Sequence, residues 1–160
     1  MILVGWGKKA KQLAFTGIEK CRNCKNWCRF DLYEMSRRVT LYFVPVAKWG
    51  KTYYVVCHTC QAGFEVGEPE AQELLRKSVG LPDALNTEML FLTLVQNERF
   101  VRDACRKEHG ASDAEVRQIV RGQFDIGKYT ALYRGRYRDD EIAYALSVFA
   151  TYLHDDDLPR

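Results

Sequence analysis

Two pairs of cysteines, each with two residues between its members, constrain the fold of this chain more than any other feature. The pairs are Cys21 with Cys24 and Cys57 with Cys60, separated by 32 residues. Two residues between thiols let one tight turn aim both sulfurs at a single ion, and two such turns complete a tetrahedron. One pair alone would equally suit a thioredoxin-like redox site. Two pairs in a 40-residue window point instead to a four-cysteine zinc site. A disulfide framework fits poorly, because the chain reads as cytosolic. A secretory signal puts basic residues ahead of an apolar stretch, whereas here Met1 to Val4 comes first and Lys8, Lys9 and Lys11 follow. The longest uncharged runs, Thr52 to Phe64 and Ile142 to His154, are 13 residues each. A membrane helix needs roughly 18 to 20 apolar residues, so none is expected and the expected location is the cytoplasm.

The residues around the thiols suit knuckles on a small sheet. In the second turn Gly63 follows Cys60 and is expected to supply the positive backbone angle that closes it. The first turn has no glycine, which leaves Asn23 or Asn26 for that role. Between the turns, Trp27 to Tyr33, Arg38 to Val46 and Thr52 to Val56 carry the β-branched and aromatic residues of strands. Lys48 to Lys51 reads as a turn broken at Gly50. Two knuckles on an antiparallel sheet make a zinc ribbon, with Cys21, Cys24, Cys57 and Cys60 as ligands to one structural Zn2+. The alternatives are Cys28 in place of Cys21, in a C-x3-C arrangement with Cys24, or His58 in place of a thiol. Each breaks the symmetry of the paired turns. Cys28 is expected to face the sheet interior and Cys105 a helical core, since free cysteine behaves as a small hydrophobe.

The stretch from Gly5 to Val66 combines a glycine-rich basic entry (Gly5, Gly7, Lys8, Lys9), a first C-x2-C, and an apolar run ending in Phe43-Val44-Pro45-Val46. A lysine-containing turn, an aromatic strand and a second C-x2-C complete it. In these features it resembles a family of small zinc-ribbon proteins of bacteria and fungi. The resemblance implies zinc at Cys21, Cys24, Cys57 and Cys60, and no assigned activity. It covers only about residues 5–66.

The second half changes period. A short helix is expected from Pro69 to Leu75, ending near Gly80. From Asn86 to His109 a central helix is expected, its face formed by Met89, Leu92, Val95, Val101, Ala104 and Cys105 and widened by Leu90, Phe91, Leu94 and Phe100, with a possible break near Asn97. Gly110 stops it. Ser112 to Glu115 is a capping box for a third helix. Asp139 and Asp140 open a last one, with Ile142, Ala145, Leu146, Phe149 and Leu153 on one face. The expectation is an α+β protein with a zinc ribbon over residues 1–67 and a helical domain over residues 68–160.

Four thiolates fill a zinc ion's coordination and leave no position for water, so the site is structural. No phosphate loop, nucleophile elbow or H-E-x-x-H is present, and no small-molecule substrate is evident. The chain is therefore expected not to be an enzyme. Its net charge of +3 hides a division, because residues 1–67 carry +7 and residues 68–160 carry −4. Such asymmetry suggests an anionic partner for the basic half. The candidate contacts are Lys8, Lys9, Lys11, Arg22, Lys25, Arg37 and Arg38. A second group lies in Lys128 to Arg138, where Arg134, Arg136 and Arg138 interleave with tyrosines in the mix that neutralises phosphates and stacks on bases. Tyr129, Tyr133 and Tyr137 also recur every four residues, which helical packing with snorkelling arginines explains equally well. The expected function is a zinc-ribbon adaptor that binds nucleic acid, RNA in preference to duplex DNA, or a nucleoprotein assembly. The alternative is a protein-interaction module whose zinc site is purely structural, with the helical half docking a protein partner.

Overall fold

A computed structural model describes the backbone of residues 4–41 and 44–155, and the side chains of these except 4–8, 38–41 and 44–49. Phe43 and the acidic tail after Asp155 therefore lie outside the described residues. Among the described residues four antiparallel strands come first: β1 (Val4–Lys20), β2 (Trp27–Leu41), β3 (Val44–Cys57) and β4 (Gly63–Val66). Five helices follow among them: α1 (Glu68–Ser78), α2 (Ala84–His109), α3 (Asp113–Gln123), α4 (Ile126–Tyr133) and α5 (Asp139–Leu153). The chain divides into two compact units, Met1–Leu81 and Pro82–Arg160. No helix among the described residues is long and apolar enough to cross a membrane.

The sheet is a meander in the order β1-β2-β3-β4, and its first three strands, of 17, 15 and 14 residues, far exceed the usual five or six. The expected turn at Gly50 is absent. Gly50 has φ 63° but lies inside β3, where Ser36 faces Lys51 and Arg37 faces Trp49. One extra residue with a positive φ bulges a strand instead of reversing it, so residues 44–46 and 52–56 share β3, while residues 38–41 of the expected middle strand belong to β2. A second shift, between Val39 and Thr40, falls beside Pro45. β4 pairs only with Tyr53 to Val56, so β3 is an edge strand at Pro45, the kind of position to which proline is confined in sheets.

One face of the sheet is covered by α1. Leu32, Tyr53, Val55 and Val66 are buried with Ala71, and Leu74 and Leu75 pack against them. These contacts place the helix in the sheet's unit, which runs to Leu81, whereas the sequence suggested a division after residue 67. A ribbon sheet with one bare apolar face needs a cover, and the first helix supplies it.

In the second unit the core lies where α2, α3 and α5 meet. The α5 residues Ile142, Ala145, Leu146, Phe149 and Leu153 are all buried, as their spacing predicts. The capping box at Ser112 and Glu115 forms, with Ser112 N–H donating to Glu115 Oε2 at 2.8 Å. Gly110 caps α2 at φ 64°. α2 is unbroken at Asn97 but is turned relative to expectation. Its buried side is Thr87, Leu90, Phe91, Leu94, Val95 and Glu98, while Met89, Leu92, Phe100 and Val101 are exposed. The buried stripe carries a threonine and a glutamate, so apolarity alone pointed to a neighbouring stripe.

Candidate metal centre

The two knuckles repeat the same backbone geometry. In the first, Cys21 N–H donates to Asn26 O at 2.8 Å and Lys25 N–H to Cys21 O at 2.9 Å. In the second, Cys57 N–H donates to Ala62 O at 2.9 Å and Gln61 N–H to Cys57 O at 3.0 Å. The positive φ angles fall on Lys25 (60°) and Gln61 (59°), the residues directly after the second cysteine of each pair. Gly63, Asn23 and Asn26 do not take that role. The hydrogen-bond pattern of each loop sets the left-handed position, and its location overrides the preference for glycine or asparagine there. Gly63 serves another purpose. A Cβ there would lie 3.0 Å from Val56 Cγ2 and 3.3 Å from Val55 O, so a side chain at this position would crowd β3 where β4 begins.

The strand ends bring the knuckles together. The Sγ atoms of Cys21, Cys24, Cys57 and Cys60 lie within 4.8 Å of one another. Across the knuckles, Cys21 Sγ is 3.8 Å from Cys60 Sγ and Cys24 Sγ is 4.0 Å from Cys57 Sγ. Zinc bonded to sulfur at about 2.3 Å in a tetrahedron needs sulfurs about 3.8 Å apart. The four cysteines therefore form a site that can hold one zinc ion. Among the described residues no histidine or carboxylate joins the group, and His58 is exposed on the second knuckle.

The surroundings act unevenly on the thiols. Burial pushes Cys57 up to about 12 and Cys24 up to about 11. Cys60 is pulled down to about 6, first by the Asn23 side chain and then by the Ala62 backbone. Asn23 Nδ2 donates to Cys60 Sγ at 3.4 Å, and Cys60 N–H donates to Cys57 Sγ at 3.4 Å. Such N–H donors favour sulfur as thiolate, the form that binds a metal. A fifth thiol stands beside the four. Cys28 is buried in the same cluster as Cys21 and Cys57, and its Sγ is 3.2 Å from Cys57 Sγ. That spacing is too short for two ligands of one tetrahedral zinc, so Cys28 is a neighbour of the site rather than a member. Sequence spacing missed the contact because it arises from β2–β3 register. Cys105 is half-buried on α2.

The expected basic contacts are dispersed. Arg22 and Lys25 are exposed on the first knuckle. Lys9 and Lys11 are exposed on β1, where Lys9 faces Ser36 and Lys11 faces Glu34. These lie about ten residues from the knuckle, roughly 30 Å along the strand. Arg37 is exposed next to Ser36 and by strand alternation projects to the other face from Lys9. The side chains of Lys8 and Arg38 are outside the described residues. In the second unit, Arg134 pairs with Asp139 at 3.5 Å, and Arg138 with Asp140 at 3.3 Å and Glu141 at 3.2 Å. Arg136 is exposed. Tyr133 is buried and meets the Tyr137 ring at 6.2 Å, and Tyr129 packs on Phe124 at 5.2 Å. Beside the first knuckle the sequence missed a cleft of about 550 Å³, lined by Lys20, Arg22, Asn23, Phe30, Phe64 and Leu74 among others. Phe64 and Val66 share one face of β4 by strand alternation, yet Val66 is buried while Phe64 is exposed.

Comparison with known proteins returns a zinc-ribbon family that matches residues 19–114, more than half of the chain. No curated protein and no solved structure matches.

Proposed function

The chain belongs to the zinc-ribbon family, and from that membership we propose that it is a non-enzymatic cytoplasmic adaptor whose ribbon binds RNA, alone or within a nucleoprotein assembly. The first knuckle carries this reading. Arg22 and Lys25 are exposed there, beside a cleft that holds Lys20, Asn23, Phe30 and the 56% exposed Phe64. Cations set next to an accessible aromatic ring suit a single strand, whose phosphates need neutralising and whose unpaired bases stack. A duplex offers the phosphates but keeps its bases stacked on one another, which favours RNA single strands over duplex DNA. Four thiolates around zinc leave no open coordination position, which supports a structural metal and no catalysis. Bound zinc fixes the turn on which Arg22 and Lys25 stand.

The test is binding of the zinc-loaded chain to single-stranded RNA across a salt series. The parent is expected to bind with an affinity that falls steeply as salt rises. The double variant Arg22→Glu with Lys25→Glu is expected to bind at least about tenfold more weakly with little loss of stability, since exposed charges contribute about 1 kcal/mol or less to folding. Equal binding by parent and variant would move the contact elsewhere. A protein partner is the second reading, and one observation favours it: α2 exposes Leu85, Met89, Leu92 and Phe100, the last to 75%. Salt-insensitive co-purification of a protein that survives nuclease treatment would select it over RNA.

A further inference from the structure

We propose that Cys28 and Cys57 are an oxidation site, at which a peroxide forms a Cys28–Cys57 disulfide and so removes one ligand from the zinc site. Three observations carry this. The sulfurs of Cys28 and Cys57 are 3.2 Å apart, against 3.8 and 4.0 Å for the ligand pairs facing each other across the knuckles. Cys28 is the only one of these five thiols that the zinc site does not use, yet it is 4% exposed and packed in the same cluster. Finally, Phe30 faces Cys57 in the ladder, so Cys28 and Cys57 occupy diagonal positions on one face of two paired strands, where side chains converge. The strands need little movement to bring the sulfurs together, and the two cysteines belong to different knuckle arms, so the bond ties β2 to β3.

The oxidant is hydrogen peroxide. The Cys57 thiolate attacks one peroxide oxygen: an S–O bond forms, the O–O bond breaks, and hydroxide leaves and takes up a proton as water. The Cys28 sulfur then displaces the oxygen from the sulfenic acid, forming the S–S bond while its own proton leaves with that oxygen in a second water. The two sulfurs are oxidised by two electrons and the peroxide is reduced to two waters. Cys24 and Cys60 are only half-buried, so the cluster has a solvent-facing side from which a small oxidant enters. Afterwards Cys21, Cys24 and Cys60 remain, one ligand short of the closed tetrahedron that makes such a site structural. Because metal binding and folding are coupled in these centres, the ribbon then loosens, and a thiol reductant restores it.

The experiment treats the full zinc-loaded chain with hydrogen peroxide, follows zinc release with a chromogenic chelator, and maps crosslinked peptides by mass spectrometry. The expected result is a Cys28–Cys57 crosslink that appears together with released zinc and is reversed by reductant. Cys28→Ala is expected to hold one zinc and, under peroxide, to stop at the Cys57 sulfenic acid, which a sulfenic-acid probe labels and which the parent does not accumulate, because the resolving thiol is gone. Release from the parent while Cys28 stays reduced, or labelled Cys57 sulfenic acid building up in the parent as it does in Cys28→Ala, overturns the proposal. Should Cys28→Ala fail to fold with zinc, the peptide map of the parent decides alone: crosslinks confined to Cys21, Cys24, Cys57 and Cys60 refute it.

Discussion

Gly63 and Gln61 show how a knuckle distributes its demands over single residues. Gln61 bears the positive φ, although glycine is two residues away, because the loop's two backbone hydrogen bonds to Cys57 fix which position must turn. Gly63 is held by crowding against Val55 O and Val56 Cγ2. Gly63→Ala is therefore expected to destabilise the zinc-loaded ribbon by about 1–3 kcal/mol, the usual cost of overpacking. Denaturation in zinc-containing buffer reads this directly, and an unchanged midpoint would show that Val56 yields freely. At this scale the ligands were legible, since the spacing of Cys21, Cys24, Cys57 and Cys60 is local chemistry. The 3.2 Å contact of Cys28 with Cys57 was not, because nothing in residues 21–28 specifies which β3 residue will lie beside them.

α2 is the element on which periodicity misled. Its buried stripe runs through Thr87 and Glu98, and the glutamate is the hub of a polar cluster inside the helical unit. Tyr152 Oη donates to Glu98 Oε2 at 3.1 Å, while Arg102 and Arg117 approach it at 3.6 and 3.9 Å. Arg117 also donates to Asp155 O at 2.7 Å and lies over the Tyr152 ring. Glu98 is 4% and Arg117 7% exposed. Removing one partner of a buried ionic cluster strands the others without compensation and costs about 3–5 kcal/mol. Glu98→Ala is thus expected to lower the stability of the helical unit by about 3 kcal/mol or more, measured by urea denaturation followed at the helical signal. A loss under about 1 kcal/mol would mean that water compensates Arg117 and Arg102. A hydrophobicity pattern cannot register a buried stripe whose central residues are charged. α5, whose inward residues are almost all apolar, was legible for the converse reason.

For the whole molecule, the matched family spans residues 19–114 and so crosses the division between the units at Leu81 and Pro82. Zinc is tied to the first unit alone, since all four ligands precede Leu81. Chelation should unfold the sheet, which surrounds its metal with two short knuckles and gains folding free energy from it, and leave α2 to α5 intact. Residues 82–160 expressed alone should keep the helical far-UV spectrum of that unit with or without chelator. A disordered spectrum would show that the helical core depends on the ribbon. By sequence pattern α1 reads as the first of the helices, while its Ala71, Leu74 and Leu75 pack on the sheet.

What this sequence determined by itself was local: two thiol pairs with metal spacing, strands before helices, a capping box at Ser112, and the inward face of α5. Each is set by residues within a few positions of one another, whose geometry the backbone enforces directly. The tertiary structure decided the rest. Gly50 became a bulge because β2 continues alongside it, α2 turned because a buried arginine and tyrosine supplied partners for Glu98, and α1 joined the sheet because an apolar face lay open. Cys28 met Cys57 only when the register of two strands was set. These outcomes rest on pairings between residues far apart in the chain, and such pairings are chosen by the free energy of the assembled core rather than by any stretch of sequence alone.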